Sequence, residues 1–145
     1  MPVLMIATYG ENDKVDVMNM AWGGVCAKNM VALNLSENHK TTKNIEERKA
    51  FTLSIADTDH LEESDIDEYP LTLECKVVEM QHQPYGLRVL GEIVNVVADE
   101  KVLDEKEKVD ASKLNAFVFD QFRNGYYKVG KKVGQSWNSG MKFMK

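Results

Sequence analysis

The polar segment between residues 36 and 44 contains the side chains in this sequence that are best suited to binding an anion. The hydroxyl groups of Ser36 and Thr41 can donate hydrogen bonds, and Lys40 and His39 can add positive charge. The segment follows an apolar run and leads into residues that favour a helix. Its backbone would therefore supply the unpaired N–H groups and the dipole of a helix N-terminus. The pattern predicts a phosphate site, although a helix that starts in a solvated polar turn would have the same pattern.

A second candidate feature is the pair Gly23 and Gly24, which follows Trp22 inside a predicted strand. Glycine lowers the stability of a strand interior, so it typically marks a bulge or a place where another backbone or a ligand comes close. The indole of Trp22 could offer a flat surface to a ring system, and it could equally be a core or subunit-interface aromatic. An apolar slot beside an anion site suits a nucleotide-like cofactor whose ring contacts the backbone amides of the strand.

Conventional catalytic motifs are missing from the sequence. His39, His60 and His82 are scattered, and no GxSxG, HExxH, Walker-type or GxGxxG sequence occurs. Cys26 and Cys75 are far apart and form no CxxC pair, so neither a zinc site nor a disulfide is indicated, and both are predicted to be reduced core residues. Any reaction would therefore have to be carried by a bound cofactor, and we assign no catalytic residue.

Length and composition indicate one globular domain, residues 1–145, with 43% hydrophobic and 28% charged residues. The formal net charge of −5 argues against general binding to nucleic acids, which requires a basic surface. The apolar N-terminal run of residues 1–7 is too short to span a membrane and lacks the features of a signal peptide. The expected location is therefore the cytoplasm, without membrane attachment.

The charges are distributed unevenly along the chain. Residues 57–68 contain seven acidic residues and no lysine or arginine, which is the pattern of a solvated loop. After Asp120 there are six basic and no acidic residues. This basic tail could contact an anionic ligand or the acidic loop of a second subunit, and a solvated flexible end is equally compatible with it.

Strand patterns dominate the sequence. An unbroken apolar run predicts a strand at residues 3–8 that is buried on both faces, and strict alternation in residues 51–56 predicts a strand with one face in the core. Further strands are predicted at residues 15–27, 30–35, 71–77 and 88–98, with short helices at 41–49 and near 111–115. Six strands with only brief helices favour a closed or nearly closed antiparallel barrel and exclude a doubly wound parallel sheet.

Several of these segments together resemble the flavin reductase-like family of FMN-binding split barrels. The resemblance is carried by residues 19–25 (NMAWGGV), by Thr41, Asn44 and Ile45, and by residues 51–55 (FTLSI). Residues 70–77 and 91–94 look like the long central hairpin of that family, and residues 126–130 look like its C-terminal segment. The resemblance covers most of the chain. It implies a mainly β fold, an antiparallel, Greek-key-like split β-barrel with a few short helices.

The resemblance also implies a homodimer that binds FMN in a groove near the subunit interface. By position, the isoalloxazine ring would be lined by Asn19, Met20, Ala21 and Trp22, largely through backbone groups. The phosphate and ribityl end would be held by Ser36, Asn38, His39, Lys40 and Thr41. In such proteins N5 of the flavin takes the hydride or the electrons, and side chains mainly position it.

Two oxidoreductase functions follow from this resemblance: reduction of flavin by NAD(P)H, and flavoredoxin-like electron transfer with a redox protein. Two alternatives are a non-catalytic barrel that binds FMN for storage or sensing, and a dimeric barrel that has lost its cofactor. The chain departs from the family between residues 57 and 70, where the family usually has a considerably longer connection. A real deletion and a missing segment would both explain this difference.

Overall fold

The computed structural model describes residues 1–60 and 69–136. Within them the chain forms one α-helix, two 3₁₀ turns and nine strands. The 3₁₀ turns are Glu11–Asp13 and Glu100–Val102, and helix α1 is Lys40–Arg48. The strands are β1 (Leu4–Tyr9), β2 (Val15–Met20), β3 (Gly23–Ala27), β4 (Met30–Leu35), β5 (Ala50–Ile55), β6 (Leu71–Gln83), β7 (Gly86–Ala98), β8 (Phe117–Asp120) and β9 (Gly125–Lys128).

Seven strands form one antiparallel sheet in the order β2-β1-β5-β6-β7-β4-β3, and β8 pairs with β9 in a separate hairpin. The two edge strands are consecutive in the sequence, because β2 and β3 are joined only by Ala21 and Trp22. The end of β2 and the start of β3 therefore lie close together, and a Cβ atom on Gly23 would be 3.1 Å from Cε of Met20. The sheet therefore curves into a nearly closed barrel, as the strand pattern predicted.

The interior of the barrel is filled by one face of each central strand. Side chains point alternately to the two faces of a strand, so residues two positions apart share the core. In β5, Phe51 and Leu53 are buried, as their alternation with small residues predicted, and helix α1 adds Ile45 to the same core. The complete cluster consists of Leu4, Ile6, Val31, Leu33, Leu35, Ile45, Phe51, Leu53, Cys75, Leu87 and Val89.

Strand β1 is buried on both faces, as its unbroken apolar sequence predicted. Alternate residues point into the barrel, whereas Val3 and Met5 belong to a second cluster that includes Phe117 of β8. Backbone hydrogen bonds hold the β8–β9 hairpin against this outer side, and the N–H of Phe119 donates to the carbonyl of Met1 at 2.8 Å. The hairpin therefore buries apolar side chains of the β1 segment that would otherwise face solvent.

The predicted strand at residues 15–27 is wrong at its centre, because the chain bends at Ala21 and Trp22 and continues as a separate strand. The carbonyl of Trp22 accepts a hydrogen bond from the N–H of Asn34 at 2.9 Å. The chain thus changes its pairing partner from β1 to β4 at this point. The bend depends on a residue twelve positions further along the chain, and a local sequence pattern does not contain that information.

The helix predicted at residues 41–49 is confirmed, one residue earlier at each end. The helix predicted near residues 111–115 is wrong, because these residues form turns. The carboxylate of Asp110 accepts hydrogen bonds from the N–H and the hydroxyl of Ser112 at 2.9 and 2.7 Å, and such local bonds compete with a helix. Across the described residues, no helix is long and apolar enough to cross a membrane.

Candidate functional site

A groove of about 760 Å³ lies over β3 and β4, beside the bend that joins β2 to β3. Gly24 of β3 and Asn34 of β4 contribute to its floor, since the residues next to Asn34 point into the core. The ring of Trp22 and the side chain of Tyr85, from the β6–β7 turn, border the groove. Ser36 lies where the chain leaves β4. The groove therefore combines a flat floor and aromatic borders with one polar end.

The two glycines of β3 have different surroundings. A Cβ atom on Gly23 would lie 2.9 Å from the carbonyl oxygen of Ala32, so a larger residue does not fit without movement of the backbone. Apart from Gly24 itself and its two chain neighbours, no described residue has an atom within 4 Å of the Cβ position of Gly24, and its φ of +156° is one that L residues rarely adopt. The missing side chain at Gly24 keeps the floor of the groove flat and leaves its backbone open to a planar ligand.

Trp22 is 47% exposed, and its position is set by contacts with the β8–β9 hairpin. Its ring makes an edge-to-face contact with Phe119, with the centroids 6.4 Å apart. The ring of Phe119 in turn contacts Tyr126, with a centroid distance of 5.9 Å. Aromatic pairs in this geometry attract each other, so the hairpin fixes the indole at the border of the groove.

The four residues predicted to line the flavin ring divide between two neighbouring hollows. Ala21 and Trp22 line the groove, and the same two residues border a smaller hollow of about 210 Å³ together with Asn19 and Met20. Met20 also packs against the barrel core. The structure therefore places Ala21 and Trp22 at the groove and places Asn19 and Met20 beside it.

Lys40 and Thr41, which were predicted to hold the phosphate, both contact Asp16 of β2. The hydroxyl of the buried Thr41 donates to Oδ2 of Asp16 at 2.5 Å, and Nζ of Lys40 lies 3.4 Å from Oδ1 of the same carboxylate. These contacts attach the start of α1 to β2. The hydroxyl of Thr41 is thereby used within the protein, whereas the more exposed Lys40 can still contribute its charge to the surrounding surface.

Ser36, Asn38 and His39 are exposed in the loop that leads from β4 to α1. The carbonyl of Ser36 accepts bonds from the hydroxyl of Thr42 at 2.7 Å and from the N–H of His39 at 3.3 Å, which fixes the turn. His39 occupies the N-cap of α1, and its side chain makes no capping hydrogen bond. The first N–H groups of α1 are therefore not satisfied by the N-cap side chain and can donate to an anion.

Glu37, in the same loop, is paired with His82 at the end of β6. Nδ1 of His82 lies 2.8 Å from Oε1 of Glu37. This hydrogen bond, together with the charge of Glu37 and a smaller contribution from Glu46, raises the pKa of His82. When His82 is protonated, its imidazole compensates the charge of Glu37, which directly follows Ser36 in the candidate anion loop.

Three residues of the groove were missed or misassigned from the sequence. Asn34 alternates with buried leucines in β4, so its outward position was available from the pattern, whereas nothing in the sequence singles out Tyr85. The prediction that Cys26 is a core residue is wrong, because it is exposed and lines the groove where the register of β3 becomes irregular. Cys75 is buried as predicted, and burial raises its pKa to about 12.

Residues 61–68 and 137–145 lie outside the described residues, and several predictions fall on them. These predictions concern most of the acidic stretch, much of the short connection between residues 57 and 70, and the end of the basic tail. Within residues 1–60 and 69–136, no group of three or more histidine, cysteine, aspartate or glutamate side chains could hold a metal ion.

The sequence matches no protein-family model and no curated protein. The fold, however, is similar to that of several solved flavoproteins. Flavoredoxin from Methanosarcina acetivorans has a TM-score of 0.90 at 22% identity, over 99% of this chain and 92% of that one. Flavoredoxin of Desulfovibrio vulgaris (Miyazaki F) has a TM-score of 0.87 at 23% identity, over 96% and 92% of the two chains.

A third similar structure is an FMN-binding protein from Thermus thermophilus with bound 1-cyclohex-2-enone. Its TM-score is 0.72 at 15% identity, over 92% of this chain and 89% of that one. The predicted mainly β, split-barrel fold is therefore confirmed. At these identities the similarity establishes the fold alone.

Proposed function

We propose that this protein binds FMN in the groove over β3 and β4 and acts as a flavin-dependent oxidoreductase or electron carrier. The observation that carries the proposal is the combination of an open glycine floor at Gly24, an indole border at Trp22 and a donor-rich end at Ser36. FMN has a flat ring system joined by a polar chain to a phosphate. Its ring suits the glycine floor and the indole border, and its phosphate suits the end at Ser36. The similar solved proteins described above, two flavoredoxins and an FMN-binding protein, support the choice of flavin.

The residues of the groove fit the two ends of FMN in different ways. The isoalloxazine ring would lie over Gly24 with its edge beside Trp22, and the backbone of the bend at Ala21 would face its polar atoms. The ribityl chain would run along Asn34 towards Ser36. Because the ring-binding contacts are backbone and aromatic, the chain mainly orients the flavin and excludes water from one of its faces.

The phosphate would lie at the loop before α1. Ser36, Asn38 and His39 are exposed there, and the first N–H groups of the helix lack a side-chain cap. Lys40 adds positive charge, while Thr41 fixes the helix to β2 through Asp16. Backbone donors at a helix N-terminus are well suited to a phosphate dianion.

When bound, FMN would supply the redox chemistry, as a carrier of a hydride or of electrons between a donor and an acceptor. The donor would be NAD(P)H or a reduced redox protein, which would approach the flavin from the open side of the groove. We also propose that the chain forms a homodimer, as the family resemblance implies. Within this scheme no side chain has to act as an acid or base at the reacting atoms.

The first test is a visible absorption spectrum of the purified protein, recorded before and after addition of FMN and removal of the excess. A retained flavin spectrum is expected, and its bleaching by NADH, NADPH or a reduced redox protein would identify the class of donor. Flavin that binds but is reduced by none of these would favour storage or sensing instead. A protein that stays colourless after reconstitution would contradict the proposal.

The position of the flavin can be tested with Cys26, because this thiol lines the groove and is exposed. We expect bound FMN to slow the alkylation of Cys26, measured by mass spectrometry of the intact native protein. Cys75 serves as an internal control, since it is buried and its pKa of about 12 keeps it protonated. Flavin binding without protection of Cys26 would place the flavin outside this groove.

A further inference from the structure

Arg88 lies next to the donor-rich end of the groove. It is an exposed residue of β7, and its cross-strand partner on β4 is Asn34, which lines the groove. The side chains of directly opposed residues in an antiparallel pair lie on the same face, with Cβ atoms about 4.5–5.5 Å apart. The neighbours of both residues, Leu33 and Val89 among them, point into the core. The guanidinium group of Arg88 therefore extends from the same outer face as the amide of Asn34.

The space between Arg88 and Ser36 contains no intervening side chain from β7. Gly86 is two positions before Arg88, so both residues face the same side of the sheet. A Cβ atom on Gly86 would lie 2.3 Å from the carbonyl oxygen of Leu35 and 3.8 Å from Cα of Ser36, and its φ is +135°. Glycine is therefore required at this position, and its lack of a side chain leaves the path from Arg88 to Ser36 open.

Arg88 also carries a charge that is not compensated within the described part of the chain. Among residues 1–60 and 69–136, Lys40, Arg48 and Lys101 form ion pairs with aspartates, whereas no ion pair involves Arg88. Its cross-strand partner on β6 is the neutral Gln81. The amide of Gln81 donates to the carboxylate of Glu79, the nearest acid along that strand, at 2.5 Å. In a chain of net charge −5, an unpaired guanidinium beside a groove attracts an anionic ligand.

We infer that Arg88, together with Ser36, binds the phosphate of the flavin nucleotide and makes the groove selective for FMN over riboflavin. This inference rests on the proposed function, because it assigns a residue to the same groove. The guanidinium presents a planar fork that can hold two phosphate oxygens at once, which a lysine cannot do. It supplies the cation at a place where Lys40 is partly engaged by Asp16.

The test compares the dissociation constants of FMN and riboflavin, measured by quenching of flavin fluorescence, in the wild-type chain and in Arg88→Gln. The expected result is a rise of about 10- to 100-fold in the dissociation constant of FMN, the effect of losing a charged hydrogen-bonding partner. The dissociation constant of riboflavin, which lacks the phosphate, should not change. Lys76→Gln is the matched control, since Lys76 is an exposed cation of the same sheet at the level of Glu92.

The outcomes separate this inference from the proposed function. If the wild-type chain binds neither flavin, both are overturned. If it binds FMN and Arg88→Gln retains the same preference for FMN over riboflavin, the inference alone is overturned and the function stands. Arg88→Lys should recover only part of the FMN affinity, which distinguishes loss of the forked contact from loss of charge. Thermal melts of the flavin-free variants should match the wild type, because Arg88 is exposed.

Discussion

Replacement of Gly91 by alanine gives a quantitative test of how the barrel is packed. Gly91 lies in β7 and is buried, and a Cβ atom there would lie 2.6 Å from Cζ and 2.9 Å from Cε1 of Phe51. Ordinary contacts of a Cβ atom are 3.4–4 Å, so the overlap is about 1 Å. The ring of Phe51 is itself in the core and cannot swing towards solvent. We expect Gly91→Ala to lower the free energy of unfolding by about 1–3 kcal/mol.

A double-mutant cycle with Phe51→Leu identifies the cause of that loss. Leucine removes the ring atoms that the new methyl group meets, so Gly91→Ala should have little further effect in the Phe51→Leu background. The coupling free energy should then be about 1–3 kcal/mol, measured by urea unfolding of the four variants. If the two substitutions are simply additive, the side chain of Phe51 does not occupy the space over Gly91, and the reasoning about the packing of β5 against β7 is refuted.

Two further substitutions test the loop and helix at the polar end of the groove. Thr41→Ala should lower the free energy of unfolding by about 1.5–3 kcal/mol in a thermal or urea melt, because it removes the hydrogen bond to the carboxylate of Asp16, and Thr41→Ser should restore most of the loss. An unchanged stability in Thr41→Ala would show that this bond does not hold α1. His82→Gln should weaken FMN binding only at low pH. Glu37 raises the pKa of His82, so the compensating charge is fully present below the ordinary histidine pKa and is lost as the pH rises through the raised value. The ratio of the FMN dissociation constants of variant and wild type should therefore fall towards one with increasing pH, and a ratio independent of pH would exclude this role.

The helices and strands predicted correctly are those whose formation depends on residues close together in the sequence. The helix-forming run in residues 41–49 and the alternation in residues 51–56 gave α1 and β5 within one residue. The unbroken apolar run of β1 correctly predicted that both faces of this strand are buried. It did not predict that the β8–β9 hairpin covers the outer face. The short strands of the β8–β9 hairpin were not predicted, because four residues are too few for a periodic pattern to stand out.

The candidate site was predictable only in part, because some of its contacts join segments that are far apart in the sequence. Residue types suggested Trp22 and Ser36, and both line the groove. The sequence could not show that Thr41 would use its hydroxyl on Asp16, twenty-five positions earlier, because that contact depends on how α1 packs on β2. The position of Arg88 beside Asn34 could not be predicted either, because it follows from the register of β7 against β4.

The position of the groove follows from the way in which the barrel fails to close completely. The chain passes from one edge strand of the sheet to the other through only two residues, and in doing so it changes partner from β1 to β4. Edge strands and such a bend leave backbone groups that the sheet itself does not use. In this chain the bend is followed by two glycines, and the face of β3 at Gly24 carries no side chain. A ligand with a flat polar edge can bind there without displacing any side chain of the core, and substitutions in the core should therefore affect stability more than flavin affinity.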